Sequence, residues 1–110
     1  MNTITLYRPV NQAELDLIKK SEMKKFPPRL PQQPIFYPVA NEEYARQINR
    51  QWNVPAYGNG YIVMFKVDSE FMKDYTVQNV GGVIHNEYWI PSEELEIFNK
   101  HIIGVIEIIE

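Results

Sequence analysis

Tyr61-Ile62-Val63-Met64-Phe65-Lys66-Val67 is the stretch on which the fold turns. It is a near-continuous run of aromatic and β-branched residues with a single charge, and such a run reads as a strand. Pro55, Gly58 and Gly60 break the chain before it. Asp68 or Ser69 caps a short helical turn after it, one that contains Phe71 and Met72. Further out, Val77 and Val80 are placed for another short strand, Gly81-Gly82 for a turn or bulge, and the run Ile84 to Ile90 is again β-prone.

The segments before the strand have helical and extended character in turn. Thr3 to Arg8 is a short opening strand that Pro9 closes. Asn11 is an N-cap with Glu14 as its capping-box partner, and Leu15, Leu17 and Ile18 predict a helix over 12–20. Phe26-Pro27-Pro28-Arg29-Leu30-Pro31-Gln32-Gln33-Pro34 is extended or turning, because proline lacks a backbone donor and disfavours helix before it. It reads as a rigid connector laying Phe26 and Leu30 onto the core; a polyproline-type ligand for a partner is the alternative. Ile35-Phe36-Tyr37 is a short strand ended by Pro38. Asn41 caps a helix in which Tyr44, Ala45, Ile48 and Trp52 recur at helical spacing, with Glu42 and Glu43 in its first turn. Near the end, Ser92 caps a helix carrying Leu95 and Phe98, and Ile103 to Ile109 reads as a buried strand.

Strands and helices mix without βαβ alternation, and several strands are joined without helices. That predicts one α+β domain over 1–110, with a small mixed, largely antiparallel sheet and about three short helices.

Composition excludes several functions. The formal net charge of −3 argues against binding nucleic-acid backbone, which needs clustered lysine and arginine. The run Lys19, Lys20, Lys24 and Lys25 is read as a solvated helix end. With no cysteine there is no disulfide, thiolate catalyst or Cys-ligated zinc, and a cytoplasmic location is expected. The first residues lack a leader's charge and apolar pattern, and no apolar stretch reaches membrane-spanning length. His85 and Glu87 share a strand side but have no evident third partner, so no metal is expected. There is no Gly-x-Ser-x-Gly, and no glycine-rich loop leads into a helix.

Arg8 at a strand end, Tyr37 beside Pro38 and Glu87 within His85-Asn86-Glu87-Tyr88-Trp89-Ile90-Pro91 are unusual for a purely structural chain. A charge inside an aromatic strand needs solvent, a partner or a function; edge-strand protection would also account for it.

The chain resembles a family of short bacterial proteins whose usual label mentions ADP-ribosylation and crystallin. The resemblance rests on Leu6-Tyr7-Arg8-Pro9-Val10, Phe26-Pro27-Pro28-Arg29-Leu30-Pro31, Gln33-Pro34-Ile35-Phe36-Tyr37-Pro38-Val39, Asn41 through Ile48, Glu87-Tyr88-Trp89-Ile90-Pro91 and Phe98 through Gly104. More distantly, the order of segments is similar to small ADP-ribosyltransferase domains. That similarity implies an ADP-ribosyltransferase-like fold, with NAD as substrate. It places Arg8 on the ribose and phosphate side, Tyr37 against nicotinamide, and Glu87 as the catalytic carboxylate. His85 stands two residues before Glu87, where a Glu or Gln is customary, and falls on the cofactor-binding side. Phe36-Tyr37-Pro38 stands where one transferase branch has Ser-Thr-Ser. The implied partners are a nucleotide or small molecule and a protein acceptor.

Two other readings stand beside it. A non-catalytic interaction module on the same fold would use the proline-rich segment with Tyr57, Tyr61, Tyr88 and Trp89, and predicts a flat apolar patch or a homodimer. Acid–base chemistry on a sugar would use Glu87, Glu93, Glu94 and Glu107, although Glu93 and Glu94 are already explained as first-turn helix acids.

Overall fold

The computed structural model describes residues 2–82 and 84–110; Met1 and Val83 lie outside the described residues. The apolar run from Tyr61 to Val67 is the middle strand of a sheet, β3 (Tyr61–Asp68). On one side it pairs with β1 (Thr3–Val10) and on the other with β7 (Ile102–Ile108), both antiparallel. Two short ribbons complete the strands: β2 (Ile35–Phe36) with β6 (Ile90–Pro91), and β4 (Gln78–Asn79) with β5 (Asn86–Glu87). The expectation of an α+β chain holds. The mixed sheet does not: every strand pair among the described residues is antiparallel.

The helices are α1 (Gln12–Lys20), α2 (Glu42–Ile48), the one-turn α3 (Val54–Tyr57) and α4 (Ser69–Met72), and α5 (Leu95–Lys100). Asn11, Asn41 and Asp68 cap α1, α2 and α4 through their side chains. Ser92 does not cap α5; it begins a 3-10 turn, Ser92–Glu94, and no side chain caps that turn or the helix.

Why β3 is central follows from its two faces. Val63, Phe65 and Val67 enter the main core with Leu6, Phe26, Phe36 and Phe98, while Ile62 packs against Val39 and Ala45 in a smaller second cluster. One face of the strand is buried throughout at Val63, Phe65 and Val67, while the other is covered at Ile62, half-buried at Met64 and exposed at Lys66, which is where its one lysine falls.

Several boundaries moved for identifiable reasons. β1 runs through Pro9 to Val10. Tyr7 spends its N–H and C=O on Val39, on the side away from β3. With a period of two, the donor that Pro9 lacks faces that same outer side, where a proline is tolerated. The helix after Asn41 does not stop before Pro55. It widens into a π-turn, Asn49–Asn53, and continues as α3, with Pro55 set just after the widened turn. The π-turn places Asn53 Nδ2 2.7 Å from the Val10 carbonyl and 2.9 Å from Asn49 Oδ1. Gly60 passes so close that a Cβ there would collide with both asparagine side chains. Trp52 is left 71% exposed, so it is not part of the buried face.

β7 is not the buried strand that its composition suggests. Only Ile106 is buried, and Ile103, Val105 and Ile108 are exposed. Its register against β3 shifts between Met64 and Lys66, and Gly104 takes the left-handed conformation (φ 77°) within that irregularity. Of the connector residues assigned to the core, Phe26 is buried and Leu30 is exposed.

Phe26 is held from a distance. Asn99 of α5 accepts from Phe26 N–H at 2.9 Å and donates to its carbonyl at 3.0 Å, so one side-chain amide substitutes for a strand partner. We expect Asn99→Ala to destabilise the fold by about 2 kcal/mol, because it strands both backbone groups. Urea melts with unchanged m-value would check this.

Candidate functional site

The feature that assembles the site is Val39. It bridges Tyr7 of β1 on one side and Glu87 of β5 on the other. Flanking bonds extend the bridge: Tyr88 N–H to the Pro38 carbonyl and Ala40 N–H to the Asn86 carbonyl, each 2.9 Å. The segment around Val39 therefore splices the first strand to the β4–β5 ribbon, although these are almost eighty residues apart in the chain. Arg8, Tyr37 and Glu87 become neighbours through it.

All three line one open cleft of about 500 Å³, within the range of small-ligand sites. Pro9, Val39 and Ile48 supply its apolar lining, and Trp89 completes it. His85 does not border the cleft. Its ring stacks on Tyr44, centroids 4.5 Å apart, and Nε2 lies 3.0 Å from Gln47 Oε1, an acceptor that requires the proton on Nε2. Gly82 makes room for it, since a Cβ there would sit 2.7 Å from the ring.

Glu87 is half-buried and oriented. Its Oε1 accepts from the Trp89 indole N–H at 2.9 Å. Burial, with the neighbouring Glu87 carboxylate, pushes the Tyr44 hydroxyl above the ordinary tyrosine range, as expected beside a negative charge. Tyr37 and Trp89 meet edge to face, centroids 6.5 Å apart, and both are about two-fifths exposed, leaving aromatic surface available to a ligand.

Arg8 is differently employed from the sequence expectation. Its Nε and Nη2 bond both oxygens of Glu14 at 2.6 and 3.0 Å, a bidentate pair with little solvent exposure. Glu14 was read as the reciprocal half of a capping box. The Asn11 half is made, with Glu14 N–H donating to Asn11 Oδ1 at 2.8 Å, but the Glu14 carboxylate goes to Arg8 instead. The Arg8 guanidinium also lies over the Phe36 ring, 4.6 Å from its centroid.

Sequence reasoning missed three contributors. Trp89 is two residues from Glu87 and carries an N–H donor, so strand periodicity could have named it. Glu14 was concealed by its capping position. Tyr44 was assigned to a helix face, and its neighbour Glu87 is distant in sequence.

Two other hollows exist. One, of about 590 Å³, lies between α1 and α5, lined by Leu17, Phe26, Pro27 and Leu95. Another, of about 720 Å³, lies beside Tyr75 and Glu94, which hydrogen-bond each other. The first is larger than the Glu87 cleft and mainly apolar, but it lacks Glu87's combination of an oriented carboxylate and aromatic faces. Among the described residues no three His, Asp or Glu side chains gather as a metal would need, and no helix is long and apolar enough to cross a membrane. No known family model, curated protein or solved structure matches the chain.

Proposed function

We propose that the chain is an ADP-ribosyltransferase-like domain that binds NAD or a related nucleotide in the Glu87 cleft and cleaves its nicotinamide–ribose bond. The observation that supports this reading is the convergence of Arg8, Tyr37 and Glu87 on one cleft, from strand β1, from the segment that follows β2 and from strand β5. Breaking the bond sends its electron pair to nicotinamide, which leaves neutral, while positive charge grows on the ribose. A carboxylate held in place before the reaction stabilises that charge without reorganising. Tyr37 and Trp89 offer flat faces for the ring, and water or a protein nucleophile completes the transfer, losing a proton.

Nicotinamide release by the wild type and by Glu87→Gln is the test. Trp89→Phe is expected to lower that release about 10-fold, roughly the worth of one hydrogen bond to a charged group. The loss should fall on kcat more than on KM, because the indole N–H orients the carboxylate rather than binding substrate.

A second reading, an interaction module on the same fold, is favoured by the exposed Ile103, Val105 and Ile108 of β7. Under it NAD leaves the melting temperature unchanged, whereas a bound nucleotide raises it.

A further inference from the structure

The outer face of the β1–β3–β7 sheet, turned away from the main core, is covered at one end only. Tyr7, Ile62 and Ile109 pack there with Val39 and Ala45. Toward the other end Met64 is half-buried, and Lys66 and Ile103 are exposed. The register fixes the arrangement. Lys66 stands opposite Ile103 and Met64 opposite Glu107, so these four side chains share the outer face. Lys66 belongs to the central strand, where protection of a sheet edge gives no reason for a lysine. Both Lys66 and Glu107 are exposed, and among the described residues neither has an ion-pair partner.

We infer that a second copy of this chain covers the open end of this face. The argument is charge complementarity of the patch with itself. A two-fold axis lying between two such sheets, and passing midway between Lys66 and Glu107, sets each lysine over Glu107 of the other copy. One rotation therefore forms two identical ion pairs, as a symmetric contact requires. Facing sheets stand about 10 Å apart, a gap that a lysine and a glutamate span together while Met64 and Ile103 fill the space beside them. The patch is small, so the dimer is weak, with a Kd on the order of 10–100 μM. The Glu87 cleft lies toward the covered end, where Pro9 and Val39 border it, and the dimer leaves it open. The inference does not rest on the nucleotide reading.

Sedimentation equilibrium of the whole chain, from about 10 μM to about 1 mM, tests it. Lys66→Glu and Glu107→Lys each set like charges against one another and are each expected to weaken association about 10-fold or more. The double variant exchanges the two charges and restores both pairs, so it should associate within about 3-fold of the wild type. Ile103→Ser should weaken association while leaving its dependence on salt in place. Wild-type association should itself fall as salt rises. A wild type that stays monomeric over the whole range, single charge variants that associate as the wild type does, or a double variant as weak as the singles each overturns the inference. Should a variant melt at a lower temperature, the wild type decides: association that salt leaves unchanged or strengthens overturns the ion pairs.

Discussion

Glu87→Gln is expected to lower nicotinamide release from NAD by about 100- to 1000-fold, the usual cost of removing one preorganised electrostatic group from an active site. Glutamine has the same shape and keeps a carbonyl oxygen for the Trp89 indole N–H, which Glu87 Oε1 now accepts at 2.9 Å. The substitution therefore removes the charge and preserves the contact. NAD binding, read as a thermal shift, should change far less than turnover, because the positive charge that the carboxylate answers grows mainly in the transition state. Glu93→Gln serves as a control: Glu93 is exposed and lies outside the cleft. Release that is unchanged in Glu87→Gln would falsify the catalytic assignment.

Phe98→Ala is expected to cost about 3–5 kcal/mol, the range for truncating a fully buried aromatic. Phe98 is fully buried, and its ring meets Phe36 at 5.5 Å, Phe65 at 6.1 Å and Phe71 at 6.2 Å. It joins α5 to the central strand and to β2 at once. For a chain of this size such a loss is a large share of total stability. Chemical denaturation gives the magnitude. A cost below about 1 kcal/mol would mean that the aromatic cluster repacks freely. Because Phe36 carries the Arg8 guanidinium, the same variant should also weaken ligand binding in the fraction that remains folded.

Local elements were legible where local physics sets them. The helix over 12–20, the Asn11 and Asn41 caps and the β3 strand depend on side chains a few positions apart, and all stand in the structure. Short β-prone segments were less legible. The run Ile84 to Ile90 contributes two separate two-residue strands, because pairing partners rather than propensity decide where a ladder forms. Position in the sheet decided the remaining misreadings. Pro9 stays in β1 because its missing donor faces the outer side, away from β3, and β7 is largely exposed because it is an edge strand whose register against β3 shifts around Gly104.

For the site, the sequence by itself determined the residue types: an arginine, a tyrosine and a glutamate, with Trp89 two positions from the acid, although Tyr37, read as the end of a strand, falls just past β2. Only the tertiary structure decided which of them meet and in what state. The Val39 bridge brings Glu87 beside the first strand, His85 turns to Tyr44 and Gln47, and Glu14 takes the charge of Arg8. Each is a contact between residues distant in sequence or a choice among competing partners. Residue type sets which partners are chemically possible; packing sets which one is within reach.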